Sequence, residues 1–272
     1  MSHKRLNTSV YYLGTGLLAL SFVLPLVWAL VSSVSPQAGT SQTQGYGMGN
    51  YVTLFTYGEG LPLYLRNSLV ISLVCVVVTL VVATTAGYAF ARYRFPLKNV
   101  LFVLVLSIMM VPYAALLIPL IVWMKELGMS SSLTGVGLVL ALFQLPFSVF
   151  MMRNAFASLP KELEDAALID GCNTFTAFLK VMLPSVVPSL VTIGLFSYLA
   201  AWNDFMVSLY LLTMDTSPLP LALVNMRQQT IGVIDYGLTT AGVVVLTLPA
   251  FILFLALQRY YIQGITSGAV KG

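Results

Sequence analysis

Asp204 is the one charged side chain well inside a long apolar run, and it directly follows Trp202 and Asn203. Placing a carboxylate at mid-bilayer costs about 2.5–3.5 kcal/mol on insertion scales, so such a residue must face a protein interior or water. Two readings of the trio stay open. Trp202 could stack on a solute's ring while Asn203 exchanges hydrogen bonds with its polar groups, so that the three line a path for solute. They would equally serve as a polar cluster that satisfies broken-helix backbone and fixes packing. Tyr198, Phe205 and Tyr210 read as packing or interfacial aromatics.

Other chemistry is sparse. No G-x-x-x-x-G-K-[ST] segment occurs, so the chain brings no phosphate-cradling loop for ATP. H-E-x-x-H and G-x-S-x-G are missing too. Cys75, Cys172 and His3 are scattered and form neither a disulfide framework nor a metal-ligand pattern. The expectation is a non-enzymatic chain with no catalytic residue, no metal site and no cofactor of its own.

Residues 153–184 are the most informative stretch and read as a helix, a turn and a second helix. Pro160 suits the first helical position. Glu162, Glu164 and Asp165 crowd the first turns, where the helix dipole favours acids. Leu159, Leu163, Ala166 and Ala167 share one side at helical spacing, a small-residue apolar face that lets a partner approach closely. Gly171 is placed to stop the helix, and Asn173 or Thr174 to cap the next. Such a helix suits a groove on another protein.

Positioning these residues requires a membrane. The chain has 272 residues, of which 58% are hydrophobic and only 8% charged. Soluble domains carry about 25% charged residues. With a mean hydropathy of +0.92, this chain can be solvated only by lipid. The net charge of +4 is spread between apolar runs, a distribution that fits topology determination better than a phosphate-binding patch.

Six runs approach the ~20 apolar residues that cross a bilayer. The spans are expected at 10–33, 68–91, 100–124, 133–152, 185–211 and 237–258, with 153–184 as a cytoplasmic loop and 1–272 as one membrane domain. The first run is too long for a signal-peptide core. Pro25, Pro112, Pro119, Pro146 and Pro249 interrupt spans, which lipid tolerates only inside a packed bundle. With both termini in the cytoplasm, ten basic residues lie inside: Lys4, Arg5, Arg92, Arg94, Lys98, Arg153, Lys161, Lys180, Arg259 and Lys271. Only Arg66, Lys125 and Arg227 lie outside, a clear positive-inside bias. Arg92, Arg94 and Lys98 are expected to set topology and nothing more. The outer segment 32–66, rich in Gly, Ser, Thr and Gln from 37 to 49, reads as irregular.

The loop resembles the EAA loop of ABC importer permeases. That pattern runs Glu-Ala-Ala, three residues, Gly, nine residues, Ile, one residue, Leu-Pro. The matches are Asp165-Ala166-Ala167, Gly171, Val181 and Leu183-Pro184, with Asp165 for Glu and Val181 for Ile as conservative departures. LPKELEDAALIDG, AWNDF at 201–205 and the C-terminal QRYYIQGITSGAVKG resemble the carbohydrate branch of the family, typified by the maltose permease.

The resemblance implies an all-α integral membrane protein of six transmembrane helices with a cytoplasmic coupling-helix loop, of the type I ABC importer permease kind. It implies that Leu163, Glu164, Asp165, Ala166, Ala167, Gly171, Leu183 and Pro184 couple the chain to an ABC ATPase dimer, which holds ATP and Mg2+. By the same resemblance, Gly264, Ser267, Gly268 and Lys271 of the tail reach toward those ATPases. The outer segment 213–236, with Asp215, Pro218, Pro220, Asn225, Arg227, Gln228, Gln229 and Asp235, reaches toward an extracytoplasmic sugar-binding protein. The implied partners are completed by a homologous sister permease in a heterodimer and by the lipid of a bacterial or archaeal plasma membrane. Alternatives are an importer for a polyol, glycerol phosphate or another small solute, an ion-coupled secondary carrier, and a membrane scaffold. No inverted repeat and no proton-relay partner for Asp204 supports the carrier.

Overall fold

The computed structural model describes residues 2–36, 45–229 and 235–269, with side chains at 10–36, 45–226 and 235–260. Its helices are α1 (Ser2–Ser33), α2 (Gly49–Thr56), α3 (Leu61–Arg92), α4 (Lys98–Ser107), α5 (Tyr113–Glu126), α6 (Leu133–Ser158), α7 (Lys161–Ile169), α8 (Thr174–Ala177), α9 (Leu183–Ser185), α10 (Val187–Trp202), α11 (Met206–Leu211), α12 (Leu219–Gln229) and α13 (Tyr236–Ala269). Among the described residues four helices are long and apolar enough to cross a membrane, and the number rises to six if each of two bent pairs is one span. No strand occurs among the described residues.

Proline chemistry explains the bends. Lys98–Met110 and Tyr113–Glu126 meet at 103°. Pro112 stands at this break, and Val111 before it takes the extended φ −79°, ψ 126° that a following proline ring enforces. The run expected as the third span, 100–124, with its prolines, is therefore a bent pair. A second bend of 76° separates Thr174–Ser185 from Val187–Trp202. Pro188 in the first turn of α10 has no N–H to return to the Pro184 carbonyl across the break at Val186, and a π-helical turn over Phe178–Met182 precedes that break. The fifth span also departs from the expected continuous 185–211, because α10 stops at Trp202 and α11 begins at Met206. Asp204 lies in that gap.

The described residues fall into two compact units. One draws on Met1–Pro62 and Ala222–Pro249, the other on Leu63–Leu221 and Ala250–Gly272. Within the first, the segment after α1, expected to lie outside, is less irregular than its composition suggests. Asn50 on α2 is fully buried and donates to the carbonyls of Ser33 (3.0 Å) and Ser35 (2.8 Å), so α2 is pinned to the end of α1. Residues 37–44 of that segment lie outside the described residues. The faces of α1 expose Leu17, Phe22, Leu24 and Trp28, side chains that require lipid or a partner.

Within the second unit, α3 and α6 run side by side in the same direction, as alternation of spans requires of the second and fourth. Gly137 meets Val74 and the Ile71 carbonyl near one end, and Gly87 meets Met152 and Arg153 near the other. Two apolar clusters flank this contact. Ile71, Cys75, Val136, Val139, Leu140, Ala201 and Val207 form one. Ala83, Tyr88, Val149, Met152, Phe156, Met182, Val186 and Ile193 form the other, beneath α7.

Candidate functional site

The helix-turn-helix expected in the loop is present. Pro160 is the N-cap of α7 and lies one position before the first helical residue. After Ile169 the chain closes a Schellman turn: Gly171 N–H donates to the Leu168 carbonyl (3.1 Å) and Cys172 N–H to Ala167 (3.0 Å). Gly171 adopts φ +89°, a region open to glycine and strained for side chains. The Asn173 side chain then accepts from Thr176 N–H (2.8 Å) and starts α8.

The two sides of α7 differ from the sequence expectation. Leu163 and Glu164 are half-buried and Ala167 is buried, so they seat the helix on its own chain. Asp165 and Ala166 are exposed, as are Leu168 and Ile169, the last at 85%. The free face is therefore Asp165, Ala166 and Ile169, where the sequence suggested Leu159, Leu163, Ala166 and Ala167 together. Helical geometry resolves this, since adjacent Ala166 and Ala167 point about 100° apart. Leu183 and Pro184 do not join α7; they lie on α9, at the bend into the fifth span.

What fastens α7 comes from the end of α3. The Tyr88 hydroxyl donates to Glu164 Oε1 (2.5 Å). Arg92 donates to the Leu159 carbonyl at 3.0 Å and to the Pro160 carbonyl at 3.4 Å, and its Nε faces Glu164 Oε2 at 3.5 Å. Beneath, the Tyr88 ring packs against Phe178 (4.7 Å between centroids) and Phe156 (5.3 Å). This corrects the reading of Arg92 as a topology determinant alone. The signal was available: Tyr88 and Arg92 are four apart, on one face at a helix end.

The membrane-embedded trio resolves into three environments. Trp202 is only 1% exposed and its ring stacks on Tyr198 at 5.4 Å between centroids, so its faces are closed to solute in this conformation. Asn203 is exposed, and its side-chain N–H returns to the Leu199 carbonyl (2.8 Å) at the end of α10. Asp204 is 9% exposed. One oxygen accepts from Ser208 N–H (3.0 Å) and the Ser208 hydroxyl (2.9 Å). The other accepts from Val207 N–H (3.4 Å) and the Tyr113 hydroxyl (3.3 Å). The carboxylate thus fills the place of a helix cap for α11 and reaches across to α5, which explains how charge is tolerated there. Asp204→Ala strands those donors and is expected to cost about 1–3 kcal/mol, read as a lower melting temperature in detergent. Asp204→Asn, which retains an acceptor, should lose less.

Ser217 and Leu219, early in the segment expected to lie outside, are tied to the start of α3. Asn67 donates to the Ser217 carbonyl (3.1 Å) and Leu219 N–H donates to the Ser68 hydroxyl (2.9 Å). Asp235 caps α13 through Leu238 N–H (2.9 Å). Gly264, Ser267 and Gly268 continue the α13 helix, their side chains undescribed, and Lys271 lies outside the described residues. Among the described residues no group of three His, Cys, Asp or Glu side chains could hold a metal ion.

Residues 83–267 match the family described as "Binding-protein-dependent transport system inner membrane component". The chain is 35% identical to the arabinooligosaccharides transport system permease protein AraQ of Halalkalibacterium halodurans, over 96% of this chain and 95% of that one. It is 31% identical to the osmoprotective compounds uptake permease protein GgtD of Synechocystis, over 93% and 89% of the two. A crystal structure of a bacterial ABC transporter importing alginate contains a chain of the same fold, with TM-score 0.81 at 22% identity, over 96% of this chain and 98% of that one.

Proposed function

This chain belongs to the family of binding-protein-dependent transport system inner membrane components, and from that membership we propose that it is a sugar- or oligosaccharide-conducting permease subunit of an ATP-driven importer. The whole chain, 1–272, acts as one permease domain with both termini in the cytoplasm. A homologous sister permease completes the path, an extracytoplasmic binding protein delivers the sugar, and a pair of ATPase subunits binds ATP and Mg2+. The observation that carries this reading is α7, a short helix seated on its own chain by Leu163, Glu164 and Ala167 that leaves Asp165, Ala166 and Ile169 free for a partner.

In this reading closure of the ATPases drags α7, and the bundle passes from inward-facing to outward-facing, alternating access in a bistable assembly. ATP and the binding protein each favour one state. Gly264, Ser267, Gly268 and Lys271 approach the ATPases as a second contact, and Leu183 with Pro184 pass the motion into the fifth span. Asn203 is the member of the membrane-embedded trio that meets the path. Trp202 and Asp204 support it, through the Tyr198 stack and the α11 cap respectively. The segment near Ser217 and Asp235 meets the binding protein.

A second reading is the same machinery with a different solute, and the likeness to a permease for osmoprotective compounds favours it. Both predict the same assembly. Purification of the tagged chain from its host in mild detergent, with mass spectrometry of what accompanies it, should recover a P-loop ATPase and a second permease bearing its own EAA-like loop. A chain that purifies alone, and transports without any ATPase, would sink the proposal. Within the assembly, Gly171→Val places a β-branched residue at φ +89° with no neighbour within 4 Å of the added Cβ. The strain of about 1–2 kcal/mol falls on the Schellman turn alone. Membrane insertion should persist while solute imported per ATP hydrolysed falls severalfold. Unchanged coupling would remove Gly171 from the coupling element.

A further inference from the structure

We infer that Arg92 and Tyr88 form a latch that makes α7 move as one body with α3, so that Arg92 is a positioning residue for coupling. The inference rests on the permease reading for its consequence in transport, while its geometry stands independently. Three features carry it. Arg92 has a side chain only 9% exposed, although it sits at the predicted cytoplasmic end of a membrane helix, where a basic side chain would ordinarily reach into water. Its guanidinium is directed at the root of α7, to the carbonyl of Leu159, the C-cap of α6, and to that of Pro160, the N-cap of α7. Its Nε lies 3.5 Å from Glu164 and has no closer partner, so Glu164 is what compensates this buried charge.

Glu164 is in turn held twice, by Arg92 and by the Tyr88 hydroxyl (2.5 Å). Tyr88 is fixed by rings on two other elements, Phe156 of α6 and Phe178 of the turn after α8. Immediately before Tyr88, Gly87 brings α3 against the backbone of α6 at Met152 and Arg153. The polar contacts therefore tie α7 to a place where α3 and α6 have no slack. Without them α7 keeps Leu163 and Ala167 as apolar seating, and that seating resists lifting better than it resists rotation or sliding. A push from a partner on the free face would then be spent in turning α7 on its seat.

The test uses the full importer purified with its ATPases and sister permease, carrying Arg92→Ala, Glu164→Gln, Tyr88→Phe or Arg92→Lys. Hydrogen exchange by mass spectrometry reads α7, and solute imported per ATP hydrolysed reads coupling in proteoliposomes. Arg92→Ala is expected to speed exchange across 161–172 by about tenfold while leaving 187–202 at the wild-type rate, because only the local opening equilibrium changes. Import per ATP should fall by about fivefold or more, with ATP hydrolysis retained. Arg92→Lys, which keeps one charged donor, should recover a large part of both, and Tyr88→Phe and Glu164→Gln should fall between. Exchange accelerated throughout 63–221 would make Arg92 a general fold-stabilising residue and overturn the latch. So would unaltered exchange in 161–172. If the wild-type complex shows no ATP-dependent import while the exchange effect remains confined to 161–172, the transport reading fails and the latch geometry survives.

Discussion

Gly87→Leu is expected to abolish accumulation of the folded protein in the membrane. A Cβ at this position would lie 2.5 Å from Met152 Cβ, 2.8 Å from Arg153 N and 2.9 Å from the Met152 carbonyl carbon. Two of those atoms are backbone of α6, so no rotamer change relieves the overlap. Overpacking a well-filled core costs about 1–3 kcal/mol when side chains can yield, and more when backbone must part. Even Gly87→Ala should lower the melting temperature in detergent measurably. Gly194→Ala is the matched control, because its Cβ would meet only Leu80 methyl groups at 3.8 Å, ordinary van der Waals contact. The amount of Gly87→Leu recovered from the membrane, with size-exclusion profiles and thermal melts of the two alanine variants, checks the ranking. Equal behaviour of Gly87→Ala and Gly194→Ala would show that α3 and α6 do not cross as closely as described.

Ala166→Arg is expected to eliminate ATP-driven uptake while the protein inserts and melts normally. Ala166 is exposed on α7, beside Asp165 and one turn from Ile169, so an added side chain meets nothing in its own chain. In a partner's cleft the same side chain brings volume and an unmatched charge into a surface shaped for a methyl group. Central interface positions change binding by about 2 kcal/mol or more, some thirtyfold in affinity. The amount of ATPase recovered per permease should drop accordingly, and uptake with it. Ala166→Gly, which removes only a methyl, should be mild. Normal ATPase recovery with Ala166→Arg would move the docking surface elsewhere.

The expectations that succeeded were those governed by local physics. Helix α7, its stop at Gly171 and the Asn173 cap follow from dipole, φ > 0 and capping rules that act within a few residues, and all three are present. Long apolar runs located the membrane helices, while proline identities warned of breaks without giving angles. The 103° bend at Pro112 depends on what packs against the freed carbonyls, which is a tertiary matter. The expectations that failed were those needing a third dimension. Ala166 and Ala167 look equivalent in a string, yet one faces out and the other is buried. Arg92 looked like a topology charge because its partners, Leu159, Pro160 and Glu164, are some seventy residues away. Asp204 was legible as a residue that needs compensation, and the choice between solute path and helix cap rested on α11, a helix too short for periodicity to reveal.

The central claim is that this chain conducts solute only when ATPase subunits engage α7. It is tested most directly by sealed proteoliposomes containing the purified importer. Outside are binding protein and a labelled solute chosen because it stimulates ATP hydrolysis, and ATP is either trapped inside or omitted. The account predicts accumulation above the outside concentration with ATP inside, and none without ATP or with the Ala166→Arg chain in place of the native one. Accumulation that ignores internal ATP and follows an imposed proton or sodium gradient would contradict it.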